Sequence, residues 1–119
     1  MVADPSGVIR VWSPVGPACW VNVRCDALTI SAEAQLRLGR HRDALADATL
    51  ARVVGAELGD PLRQARALAV LAEALRGVGD HDNAVSRGRE ALDLLDDTDD
   101  PQRQAIRERI SAHDIHHDR

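Results

Sequence analysis

The chain matches itself when shifted by 40 residues, and this internal repeat constrains its fold more than any other feature. Ala32-Glu33-Ala34 returns as Ala72-Glu73-Ala74, Leu38-Gly39 as Val78-Gly79, His41 as His81, Ala44-Leu45 as Ala84-Val85, and Ala51 as Ala91. Asp60-Pro61-Leu62-Arg63-Gln64-Ala65 then reappears as Asp100-Pro101-Gln102-Arg103-Gln104-Ala105. A single frame holds across punctuating residues and small apolar positions alike, so the chain is a series of copies of one supersecondary unit. One such unit cannot hide both of its apolar faces, and stacking against a neighbour covers them.

The unit is a pair of helices. Asp60-Pro61 and Asp100-Pro101 each set a capping carboxylate before a proline at the first helical position, where the missing N–H costs nothing. Gly39, Gly59 and Gly79 fall where apolar periodicity stops, as left-handed C-terminal caps do. These signals predict helices near 21–38, 42–58, 61–78, 82–96 and 101–116, joined by turns short enough to force antiparallel neighbours. The expected fold is all-α: an antiparallel helix-pair solenoid of about five helices, with units near 21–60 and 61–100 and a partial third at 101–119. Residues 1–20 stand apart, with Pro5, Pro14, Pro17, both tryptophans and the alternation Val8-Ile9-Arg10-Val11-Trp12. No partner strand is visible downstream, so they read as an irregular leader that lays Trp12 or Trp20 on the first helix or docks on another protein.

Composition sets the character of the core. All fifteen basic residues are Arg, Phe and Tyr are absent, and Ala is abundant, as in products of GC-rich genomes. A core of Ala, Leu and Val lets helices approach closely, but each side chain buries little area at about 25 cal/mol per Å². The net charge of -4 gives no pull toward nucleic acid or anionic lipid. No apolar run approaches the roughly 20 residues of a membrane span, and no secretory signal opens the chain, so the expected location is cytoplasmic. Cys19 and Cys25 have neither zinc-knuckle nor redox spacing and read as reduced thiols.

Within the second unit, Leu68, Leu71, Ala72, Leu75, Gly79, Ala84 and Ala91 have the spacing that resembles the tetratricopeptide repeat family. In the first unit Leu28, Ala32, Gly39, Ala44 and Ala51 fit the same pattern, while Ser31 and Gln35 occupy two large-residue positions. The period of 40 exceeds the family's usual value of about 34. Longer units with Gly-Asp-Pro between them look like the helical arrays in regulators and signalling proteins of GC-rich bacteria. The resemblance implies that Ala72 and Ala84 mark the crossing of a helix pair and that Ala91 seats the next unit. It also implies a concave groove lined by Asp26, Thr29, Glu33, Leu36 and Arg37, then Arg66, Ala69, Glu73, Arg76 and Gly77, then Ile106, Arg109, His113, His116 and His117. Such a groove suits a mixed-charge peptide or helix, with Arg the natural anchor. Family members that clamp a C-terminal carboxylate use Lys and Asn; this chain has no Lys, and Glu33 and Glu73 stand where Asn is wanted.

Little else suggests chemistry. His113-x2-His116-His117 could bring two imidazoles to one ion, but no Cys lies nearby, and it reads as a surface cluster, not a metal site. His41 and His81 recur in phase, which points to packing over the turn. The run Asp93, Asp96, Asp97, Asp99, Asp100 lacks the alternating ligands and central Gly of a calcium loop. Glu33 and Glu73 sit at equivalent positions and so read as repeats of one structural role, not as an acid/base pair. With no phosphate loop and no nucleophile elbow, neither an enzyme nor a cofactor is expected. The expected function is a non-catalytic module that binds a partner peptide or helix in its groove. The alternative is the C-terminal sensor or oligomerisation fragment of a larger bacterial transcriptional regulator or signalling protein, because an incomplete third unit leaves the apolar side of its last helix uncapped and invites a homo-oligomer.

Overall fold

The computed structural model describes residues 17–96 and 98–117, with the side chains of Trp20 and of residues 22–96 and 98–112. Among them are five helices and no strand: α1 (Pro17–Arg37), α2 (His41–Leu58), α3 (Pro61–Gly77), α4 (His81–Leu95) and α5 (Gln102–His117). None is long and apolar enough to cross a membrane. Four of the five lie within a residue or so of the expected bounds. The exception is α1, which begins inside the expected leader, at Pro17. Proline at the first position of a helix loses no hydrogen bond, so Ala18 to Trp20 join the helix instead of preceding it. The Val8–Trp12 alternation lies outside the described residues.

The punctuation works as the sequence predicts. Asp60 Oδ1 accepts from the backbone N–H of Leu62 (3.1 Å) and Arg63 (3.2 Å), and Asp100 Oδ1 accepts from that of Gln102 (2.8 Å). Gly39, Gly59 and Gly79 have φ of +77°, +65° and +91°, a region that other residues enter only at a cost. The chain reverses after Gly39 and Gly79 with matching bonds, Arg40 N–H to Gln35 C=O (2.8 Å) and Asp80 N–H to Leu75 C=O (2.9 Å).

Helices α1 and α2 pair, as do α3 and α4, and α2 packs against α3 to join the pairs. Helix α3 touches all four of the others. Ala32, Ala44, Ala51, Ala72, Ala84 and Ala91 are buried where the repeat places them, and Leu68 and Leu71 are buried with Leu75 packed against the same core. Among the described residues, the largest side chains with essentially no exposure are Leu68, Leu95, Val70 and Cys25. Cys25 donates from Sγ to the Ala51 carbonyl at 3.5 Å; burial, and then the neighbouring Asp26 carboxylate, push its thiol pKa up, so it stays protonated. The Cys19 side chain lies outside the described set. Enlarging Ala84 to Leu in this close crossing should cost about 1–3 kcal/mol. A thermal melt checks this, and an unchanged midpoint would show that the pair has room to spare at Ala84.

The ring of His41 lies against Gly77 at the end of α3, where an added Cβ would overlap the imidazole. His81, by contrast, is exposed, so the two histidines do not share one role. On α5, Ile106 and Ile110 are buried in the core, and among the described residues the outward positions Ala105, Glu108 and Ala112 are small or charged. The acidic run before α5 serves that helix: Asp96 pairs with Arg107 (2.5 Å), Asp99 lies 3.8 Å from Arg103, and Asp100 caps.

Candidate functional site

The first helices of the units, α1, α3 and α5, stand side by side, and their shared face gathers most of the residues singled out from the sequence. Glu33 and Glu73 occupy one repeat position on adjacent helices and so project to the same side. Arg109, on α5, reaches back between them. Its Nη1 lies 2.5 Å from Glu33 Oε2 and its Nη2 binds Glu73 Oε2. Arg66 approaches the other Glu33 oxygen at 3.7 Å. Burial alone would lower the Arg109 pKa, but hydrogen bonds and charge from both carboxylates outweigh it and raise the value, so the guanidinium is charged at any accessible pH. One cation thereby ties the first, second and third units together. Because Glu33 and Glu73 are both engaged by it, the face is not the open alternation of Glu and Arg that the sequence suggests.

Arg109 also divides the face into two clefts. One, of about 500 Å³, is lined by Glu33, Leu36, Arg37, His41, Glu73 and Arg109. The other, of about 320 Å³, is lined by Glu33, Arg66, Ala69, Gln102, Ala105, Ile106 and Arg109. Arg37 is exposed at the mouth of the first; Arg76 is half-buried beside Glu73 and Arg109. Ala69 and Ile106 are buried and form floor, not rim.

Three other expected groove residues serve the fold. Thr29 is buried and donates from Oγ1 to the Cys25 carbonyl (2.9 Å), and Gly77 lies beneath His41. Asp26 accepts from Arg63 at 3.1 and 3.2 Å, while the same guanidinium bonds Asp60 at 2.6 Å. Partial burial works to raise the Asp60 pKa, but the hydrogen bonds from Arg63 and the capped backbone overcome it and hold the carboxyl low. The side chains of His113, His116 and His117 lie outside the described residues. Among those described, no group of three or more His, Cys, Asp or Glu is placed to hold a metal ion.

Sequence reasoning missed His41 as a wall of the larger cleft. The signal was present: Gly77 ends α3 as the one glycine in that helix, and a ring can settle only where no Cβ stands. Comparison with family models, curated proteins and solved structures finds no match to this chain.

Proposed function

We propose that this chain is a non-catalytic, tetratricopeptide-like scaffold that binds an acidic peptide or helix along the face of α1, α3 and α5. The observation that carries the reading is the pair of clefts flanking Arg109, on a face where charge runs opposite to the rest of the molecule. Arg37, Arg66, Arg76 and Arg109 gather there against Glu33 and Glu73, a cationic excess on a chain of net charge -4. A basic face on an acidic protein selects partners by charge and orients their approach. Arginine adds forked hydrogen bonds to carboxylates, which Lys cannot match in geometry. Leu36 gives the larger cleft an apolar wall for a neighbouring side chain of the ligand.

The test is fluorescence anisotropy with labelled peptide pools, one rich in Asp and Glu and one rich in Lys and Arg. The acidic pool should bind, should weaken as salt shortens the screening length, and should bind about tenfold more weakly to Arg37→Glu. Arg37 is exposed, so this variant folds normally. Equal affinity for both pools, or binding indifferent to Arg37→Glu, would rule the reading out.

A further inference from the structure

His41 stands where two clefts meet. It walls the larger cleft of the α1, α3 and α5 face with Arg37 and Glu73. It also lines a further cleft of about 480 Å³ at the turn before α2, together with Arg40, Arg42 and Asp43. Gly77 borders that second cleft and sets the ring, since a Cβ there would overlap Nδ1 and Cγ. The backbone does not call for glycine at this place: Gly77 is the last residue of α3, and its φ is not positive. Alanine would hold a helix end better than glycine does. What Gly77 supplies is room for the imidazole.

The ring's two nitrogens are thereby made unequal. Nδ1 is buried and has no hydrogen-bond partner among the described residues. With no acceptor at hand for a proton on Nδ1, the N–H falls to Nε2, which lies farther from Gly77. The carboxylates of the larger cleft, Glu33 and Glu73, are both engaged by Arg109, so an acceptor for Nε2–H comes with a ligand. We propose, on the reading that an acidic peptide occupies this face, that His41 donates from Nε2 to a carboxylate of that peptide and so fixes its register. The peptide passes from the larger cleft over the ring toward the exposed Arg40 and Arg42, which carry the cationic surface onto the turn. Because a cleft opens on each side of the ring, the ligand chain continues past it. The carboxylate read by His41 is therefore an internal Asp or Glu side chain, not a chain terminus.

Fluorescence anisotropy of the full chain with the Asp- and Glu-rich peptide pool is the test. Gln carries an amide nitrogen near the place of Nε2, and Asn carries one near that of Nδ1. His41→Gln should bind within about twofold of the native chain, whereas His41→Asn and His41→Ala should bind at least about tenfold more weakly, the factor for one hydrogen bond to a charged group. Gly77→Ala should displace the ring and weaken binding to a similar degree. In the His41→Ala background it should change nothing further, because the new Cβ then meets no ring. A pool with amidated C-termini should bind as tightly as one with free C-termini. Native affinity in His41→Ala, equal losses in His41→Gln and His41→Asn, a Gly77→Ala effect that persists without the ring, or a need for a free C-terminus each overturns the inference. If a thermal melt shows His41→Ala unfolded, the comparison of Gln with Asn decides alone. Any of those results, with Arg37→Glu still weakening the pool, leaves the proposed function standing; failure of the acidic pool to bind the native chain removes both.

Discussion

Truncating Leu68 to Ala is expected to cost about 2–5 kcal/mol, a large share of the 5–15 kcal/mol that holds an ordinary domain together. The core explains the size of the effect. Most of its members are alanines, and Leu68 is one of the few large side chains with almost no exposure. Small neighbours on close-packed backbones cannot swing in to fill the space a leucine leaves, so the cavity term adds to the lost transfer energy. Position adds a second reason. Helix α3 touches every other helix, so a void in it loosens both units at once. Urea unfolding followed by circular dichroism should show a lower midpoint and still a single transition. Leu50→Ala is the matched control: Leu50 is exposed on α2, and its truncation should fall within about 0.5 kcal/mol of zero. Similar losses at the two sites would mean that Leu68 does not hold the core in the way its burial indicates.

Most of the architecture was legible before any coordinates. Caps at Asp60 and Asp100 and left-handed glycines at 39, 59 and 79 fix element ends by local chemistry, and local chemistry is what a sequence displays directly. The repeat frame also placed Glu33, Glu73 and Arg109 on one face, because residues at related phases of adjacent first helices must share a side. What it did not display was the bond among them. Arg109 lies one turn before the position equivalent to Glu33 and Glu73, and its reach to both depends on helix separation and side-chain length, which no periodicity encodes. His41 and His81 diverge for a comparable reason. Repeat phase gives them the same address, but Gly77 offers His41 a surface without a Cβ, while the position one unit later is His117. The repeat frame gives Ala27, Ile30 and Ala34 of α1 the same phase as Ala67, Val70 and Ala74 of α3, yet the three α1 residues are exposed. Their exposure becomes visible only when the fully buried Ala67, Val70 and Ala74 are set beside them.

Replacing Arg109 with Met is expected to destabilise the chain by about 2 kcal/mol at neutral pH, less than the 3–5 kcal/mol of a fully buried broken pair because water reaches part of the cluster. Methionine keeps most of the apolar stem, so the loss reports charge and hydrogen bonding more than packing. Without the guanidinium, Glu33 and Glu73 face each other as partly buried anions with side-chain exposures of only 21% and 15%, and Arg66, at 3.7 Å from Glu33, cannot serve both. Salt screens both the bridge and the repulsion that its loss would leave, so the gap between variant and native protein should narrow at high ionic strength. Adding Glu73→Gln to Arg109→Met should recover part of the loss at pH 7, whereas Glu73→Gln alone should cost stability by leaving Arg109 with one anion in place of two. This opposition of signs is what a double-mutant cycle measures. It separates a charge bridge from a side chain that merely fills space: a penalty equal at low and high salt and untouched by Glu73→Gln would assign Arg109 to packing. The bridge reading makes one further demand. Because the same guanidinium splits the face into two clefts, its loss should merge them, and the acidic peptide pool should bind Arg109→Met more weakly than Arg37→Glu does only if Arg109 also touches the ligand.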